Sequence, residues 1–261
     1  MSGIHPSAVI ENGAQIADGC VIGPFCHVGA NVCIGEKTVL HSHVVLDGHM
    51  KIGRENEIYS FACLGKKTQD LKYKGEVSYV EIGDRNVIRE YVTINAATAA
   101  GEATKLGSDC LIQSYCHIAH DCILGDHVIM SSGAMIAGHV IAEDYAIISG
   151  YCGVVQFVRI GKHSFLSGYS KLAQDLLPYS IGDGAPAEIR TVNKVGMQRR
   201  DFSDKSIRNV HKAIKRIISF GLTIEEASEE LLEEFPDCPE VLEIFEFCKH
   251  TKQGLARPRK R

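Results

Sequence analysis

A single aliphatic frame with a period of six residues runs from Ile4 to Leu172 and leaves few folds open to this chain. Of its 29 positions, 25 are Ile, Val, Leu or Met, and the exceptions are Asp70, Glu76, Ala100 and Ala142. Neither the 3.6-residue helical period nor the plain alternation of a flat strand gives this spacing, whereas a parallel β-helix of hexapeptides does. Four residues after the aliphatic position comes a small or medium one, as at Ala8, Cys20, Cys26, Val32, Cys110, Cys116, Cys122 and Ala134. Both would point inward, the second kept small because three walls converge near each corner. Gly23, Gly29, Gly35, Gly53, Gly125 and Gly161 follow their aliphatic residues directly, and glycine is expected there because the backbone bends outward. Three hexapeptides close a triangular coil, and stacking at about 4.8 Å makes a prism of roughly nine coils, about 45 Å long. Handedness does not follow from this arithmetic.

The frame predicts a β-helix over residues 1–190, interrupted by loops near 66–80 and 96–104, where the inward pattern lapses without losing phase. Residues 191–261 read as a small helical domain covering the end of the prism. Pro178 to Asn193 reads as an irregular linker. Ser203 is placed to cap a helix running to about Ser219 with Gly221 behind it. Thr223 and Glu226 form a capping box for a second helix, and Asp237 precedes a third that ends before Gly254. The basic tail Ala256 to Arg261 reads as solvated.

The formal net charge of −4 divides into −5 over residues 1–177 (13 basic, 18 acidic) and +1 over 178–261 (15 basic, 14 acidic). Neither part resembles a nucleic-acid binder. No apolar run long enough to span a membrane and no signal peptide is present, so a cytoplasmic protein is expected. Six of the ten cysteines (Cys20, Cys26, Cys110, Cys116, Cys122, Cys152) fall in the small inward slot, where they read as buried hydrophobes rather than disulfide partners or metal ligands.

Chemistry must then come from outward residues. Within Cys116 to Cys122 (CHIAHDC), His117, His120 and Asp121 take outward or corner slots. One coil above His120 the repeat places Gly138, and two coils above, Gln156. His139 falls above Asp121. An imidazole, a glycine amide, a carboxylate and further polar groups therefore share one edge, a catalytic constellation.

These residues, with SHVVLDGH (Ser42 to His49), QDLKYKGE (Gln69 to Glu76), VEIGDRNVIRE (Val80 to Glu90), AGHV (Ala137 to Val140), VVQF (Val154 to Phe157) and QRRDFS (Gln198 to Ser203), closely resemble the UDP-N-acetylglucosamine acyltransferase family that opens lipid A biosynthesis in Gram-negative bacteria. The resemblance spans nearly the full chain and implies a left-handed coil. It implies transfer of a 3-hydroxyacyl chain from acyl carrier protein to the glucosamine 3-hydroxyl of UDP-N-acetylglucosamine, without cofactor or metal. His120 matches the general base, a task suited to a neutral imidazole. Asp121 would hold its tautomer, and the Gly138 amide would stabilise the oxyanion. Gln69, Asp70, Lys72, His117, His139 and Gln156 match sugar- or acyl-contacting positions. Asn193, Arg199 and Arg200 match positions near the uridine diphosphate, where a planar guanidinium makes paired hydrogen bonds. Gly168, between Ser167 and Tyr169, matches the position that measures the acyl chain; lacking a side chain, it implies a preference for long donors unless Phe165 or Tyr169 swings across. The family and the open active edge together imply a homotrimer with sites between subunits.

Two stretches depart from the family. Asn95 is followed by Ala96, Ala97 and Thr98 rather than Arg-Gly-Thr, and Val195 stands where an acidic residue is usual. Both concern the sugar nucleotide and leave open whether the acceptor is a 3-hydroxyl or a 3-amino group. Three further readings compete on the same scaffold. A zinc hydratase would use imidazoles such as His117, His120 and His139, and a purely structural solenoid would show no turnover. The N-acyltransferase acting later in the pathway carries a uridine-binding domain ahead of its repeats, whereas here the frame begins at Ile4.

Overall fold

The computed structural model describes residues 3–219 and 223–258 of the chain. The aliphatic frame becomes the interior of a left-handed parallel β-helix whose three walls are sheets of 11, 9 and 8 strands. Most strands are only two residues long, an outward residue followed by the inward aliphatic one. Register is kept coil over coil, as in Ile22↔Leu40↔Ile58↔Ile88↔Ile112 along the first wall. Each coil hydrogen-bonds the next through pairs such as Gly23 N to Leu40 O and His41 N to Ile58 O, both 2.8 Å. The six inward cysteines are buried free thiols. Burial pushes Cys122 up to about 12, so these groups pack as apolar matter.

The glycines after the aliphatic residues have a different cause from the one expected. A Cβ at Gly35 would lie 2.5 Å from the Gly53 carbonyl carbon, and one at Gly53 would lie 2.6 Å from the Gly83 oxygen. Close approach of successive coils, not the outward bend, excludes a side chain there. The bend itself falls at corner residues in the left-handed region, among them Asp121 (φ 61°) and His139 (φ 62°). That conformation costs roughly 1–2 kcal/mol per residue. Corner rings recover part of it by stacking along the edge, as Tyr91 does on Tyr115 at 4.8 Å.

Two loops leave the prism, residues 67–78 and 96–102, and lie against each other. Ala96 N donates to Lys66 O (2.8 Å), and Ser78 Oγ donates to Ala97 O (2.5 Å). The small Ala96 and Ala97 are buried in this contact, which is what their departure from Arg-Gly allows.

Residues 178–193 are not an irregular linker. Ser180–Gly184 and Ala187–Val192 form an antiparallel hairpin that extends the first wall. Ser180 and Gly182, and Ala187 and Ile189, are buried at a spacing of two, with Val192 buried after an irregularity in the register, so a short alternation replaces the hexapeptide period and escapes a search for the latter. Helices α1 (Lys194–Gln198), α2 (Asp204–Ile218), α3 (Ile224–Glu234) and α4 (Pro239–Lys249) follow. Ser203 caps α2, and Thr223 with Glu226 makes the expected capping box. Gly221 and Arg259 to Arg261 lie outside the described residues. The helices close the C-terminal end of the prism. Lys162 Nζ is 2.6 Å from Glu243, Tyr179 donates to the same carboxylate, and Arg159 stacks on Phe247 at 4.2 Å. Among the described residues, no helix is long and apolar enough to cross a membrane.

Candidate active site

The predicted column assembles at the corner after the second wall. His120 Nδ1 lies 2.7 Å from Asp121 Oδ2, with both side chains largely buried. A carboxylate can only accept, so Nδ1 carries the proton and Nε2 keeps its lone pair. The ring of His120 lies directly against Gly138, where an added Cβ would be 2.4 Å from its Cε1. Glycine is therefore required by the imidazole packed on it. The neighbouring amides of Ala137 and His139 are taken up by Val154 O (3.0 Å) and His120 O (3.1 Å). Among the described residues the Gly138 amide has no backbone acceptor, which leaves a donor beside the His120 ring.

His139 meets His120 edge to face at 5.4 Å and stacks on Phe157 at 4.6 Å, with Nε2 3.6 Å from Asp121 Oδ2. Burial would push the Asp121 carboxyl up, but hydrogen bonds from His120 and Thr98 and the nearby His139 outweigh it and hold the group below the usual carboxylate range. Burial, with His120 nearby, pushes His117 down and favours its neutral form. Its Nδ1 is 2.7 Å from Thr93 Oγ1.

A cavity of about 710 Å³ runs from this corner across the second wall. Gln69, His117, His120, Gly138 and Gln156 line it, together with Val154 and Val155 of the VVQF motif and with Met135 and Lys171, which sequence reasoning did not single out. Met135, Gly153 and Lys171 sit one, two and three coils above His117, so the same register arithmetic finds them once the His117 side of the wall is known to be the groove. Asp70 hangs from the first loop with its carboxylate within 4.8 Å of nitrogens of His120 and His139. Lys72 is exposed, and its backbone amide donates to Asp70 Oδ1 at 2.9 Å.

That Asp70–His120–His139 group also corrects the zinc comparison. Among the described residues it is the cluster whose donors converge, while His117 is occupied with Thr93. The three imidazoles that suggested zinc do not form one ligand set.

The structure does not bring Asn193, Arg199 and Arg200 to this cavity. They line a second pocket of about 260 Å³ on the next corner, with His127, Tyr145 and His163. There the rings stack in sequence, His127 on Tyr145 at 4.4 Å and Tyr145 on His163 at 4.6 Å, and the Arg200 guanidinium lies 4.2 Å over Tyr145. Asn193 is largely committed: its Oδ1 caps α1 at Gly196 N (3.1 Å) and its Nδ2 donates to His163 O (2.9 Å). It shapes the pocket. Val195 is exposed on α1. Gly168 is exposed too, outside the cavity lining, and an added Cβ there meets only Gly150 O at 3.5 Å. Tyr169 beside it stacks on Tyr151.

Residues 175–256 match the family described as UDP-N-acetylglucosamine O-acyltransferase, domain 2, and residues 13–48 and 103–138 match bacterial transferase hexapeptide repeats. The structure of LpxA from Acinetobacter baumannii is 39% identical, covering 97% of this chain and 99% of its own, with a TM-score of 0.95. The Francisella novicida UDP-N-acetylglucosamine acyltransferase is 36% identical over 99% of this chain and 95% of its own, again at 0.95. The Arabidopsis enzyme is 30% identical over 97% and 100%, at 0.86. Similarity of this depth over nearly the whole length of each protein, on the coils and the helical end alike, makes the chain an acyltransferase that belongs to the UDP-N-acetylglucosamine O-acyltransferase family.

Proposed function

We propose that the protein transfers a 3-hydroxyacyl chain from acyl carrier protein to the 3-hydroxyl of the glucosamine unit of UDP-N-acetylglucosamine, the first step of lipid A biosynthesis. The observation that carries this reading is the His120–Asp121 pair beside an unengaged Gly138 amide, at one end of an apolar groove. His120 Nε2 removes the acceptor proton as the oxygen attacks the thioester carbonyl. The Gly138 N–H receives the oxyanion, and Asp121 balances the imidazolium. Collapse expels the pantetheine thiolate, which takes the proton back from His120. Base, oxyanion donor and an activated thioester suffice, so the step needs neither metal nor cofactor; metal analysis of active protein checks this.

Gln69, Asp70, Lys72, His117, His139 and Gln156 surround the sugar and the acyl head. Arg199 and Arg200 hold the diphosphate, with Asn193 shaping their pocket. Since that pocket lies on another corner of the same chain, a neighbouring subunit of a homotrimer completes each site. Ten free thiols are in keeping with a reducing cytoplasm. The test is an acyl-transfer assay with acyl carrier protein thioesters of several lengths, against UDP-N-acetylglucosamine and its 3-amino analogue. An ester product with the former is expected; product with the amino sugar alone, or none, overturns the assignment.

A further inference from the structure

The repeat frame does not reach Thr98, and the resemblance, in which it matches the threonine of Arg-Gly-Thr, gives it no role, yet it touches both His120 and Asp121. Its backbone N–H donates to Asp121 Oδ1 at 3.1 Å and Oδ2 at 3.3 Å, and its hydroxyl oxygen lies 3.2 Å from His120 Nδ1. The same hydroxyl is 2.9 Å from Thr68 Oγ1, on the other loop. Ala96 and Ala97, buried against Lys66 and Ser78, bring the loop down to the site.

We propose that Thr98 is a positioning residue for the base: it clamps the Asp121 carboxylate through its amide and the His120 ring edge through its hydroxyl. The proposal rests on the reading of His120 as the base. The Nδ1–H of His120 faces two acceptors, Asp121 Oδ2 and Thr98 Oγ1, and a proton shared between them fixes both the tautomer and the rotation of the ring. Thr68 supplies the Thr98 oxygen with its own partner, so the hydroxyl is held in place rather than free to rotate. When the imidazole takes the acceptor's proton, Nδ1–H becomes a charged donor and both contacts strengthen. That gain exists mainly along the reaction coordinate, so its loss falls on kcat and not on substrate affinity. The clamp also ties the base to both loops, which leave the prism one and two coils before the His120 coil.

Thr98→Val keeps the shape and the backbone amide and removes only the hydroxyl. We expect kcat to fall about tenfold, the worth of one hydrogen bond to a charged group, with KM for both substrates within about twofold of wild type. Thr98→Ser should restore kcat and Thr98→Ala should not. Those two differ only in the hydroxyl, so they decide the matter even if the valine variant folds poorly. Wild-type kcat in Thr98→Val or Thr98→Ala beside an inactive His120→Ala overturns the role of Thr98 alone, as does a change confined to KM. Near wild-type turnover in His120→Ala overturns the base, and this proposal with it.

Discussion

Two of the concavities among the described residues have opposite chemistry. The larger, about 710 Å³, is walled by Met135, Ile136, Val154 and Val155 with polar groups gathered at the His120 end. The smaller, about 260 Å³, is a stack of rings under two arginines. The first suits a hydrocarbon chain that must be held dry up to a reacting carbonyl; the second suits a planar base with a charged tail. They occupy different corners of one prism. The difference teaches that a solenoid with three edges can divide recognition from chemistry, and on the proposed reading subunit association reunites them.

The largest expected effect breaks the comparison at its chemical end. His120→Ala should lower kcat by about 10² to 10⁴ while the protein still melts as wild type, because the ring fills a surface corner and not the core. Steady-state kinetics decide it, and turnover near wild type would remove the first concavity from the mechanism.

Next in size is the recognition end. Arg199→Ala and Arg200→Ala should each raise KM for the nucleotide sugar by about 10- to 100-fold with little change in kcat, as expected for lost charge-assisted hydrogen bonds to a diphosphate. Mixing chains sharpens this. If sites form between subunits, co-refolded His120→Ala and Arg200→Ala chains, assayed at nucleotide sugar well below KM where both parents are slow, should regain activity, approaching about a quarter of wild type for random association. If both concavities serve one site within a chain, the mixture stays as poor as its parents.

A third effect, on stability, tests whether the second pocket is built to stay neutral apart from its arginines. Burial, with help from Lys162 and Arg200, pushes His163 down to about 4, against about 6.5 for an unperturbed histidine. Between those values the unfolded chain binds the proton and the folded chain does not. The contribution of His163 is therefore whole above about pH 6.5, erodes as pH falls and is gone below about 4. By pH 5 the loss is about 2 kcal/mol. His163→Phe keeps the stack on Tyr145 and Tyr179 without a titrating nitrogen, so its Tm should fall less between pH 7 and pH 5 than that of wild type. Parallel curves would mean that the ring is solvated enough to charge.

What was legible in the sequence divides along the same line as the structure. Coil residues obey register arithmetic, so the stacking of Gly138 on His120 and of His139 on Asp121 followed from counting, as did the six buried cysteines. Thr98 and Asp70 sit on loops where counting stops: Asp70 was named only through the resemblance, and folded coordinates bring both beside His120. The hairpin of residues 180–192 was missed because its period is two and its partner is the last coil rather than another hexapeptide. The repeat glycines were placed correctly for the wrong reason: the close approach of coils, which is invisible in one dimension, is what excludes a side chain. Arg199 and Arg200 were named through the resemblance, but their distance from His120 was not legible, because it depends on which corner the helical end folds back upon.

The smallest effect concerns Gly168, where the apolar concavity has to end. Gly168 is exposed, lies outside the cavity lining and leaves room for a side chain, since an added Cβ meets only Gly150 O at 3.5 Å. Gly168→Met should therefore fold as wild type. If the acyl tail leaves the groove beside Lys171 and continues past this corner, the methionine stands in its path, and preference should move from 14-carbon donors toward ten-carbon ones. Four buried methylenes at about 0.8 kcal/mol each set an upper bound of several hundred-fold. A tail that emerges onto an exposed corner keeps much of its surface wet, so a shift of about tenfold is the expected outcome in competition assays. Tyr169 is the alternative stop. Its ring already stands beside Gly168, stacked on Tyr151 at 5.3 Å, and if it turns inward wild type will prefer ten-carbon donors and Gly168→Met will change nothing. In that case Tyr169→Ala, not the glycine, should lengthen the accepted chain, and the apolar concavity would end one residue later than proposed.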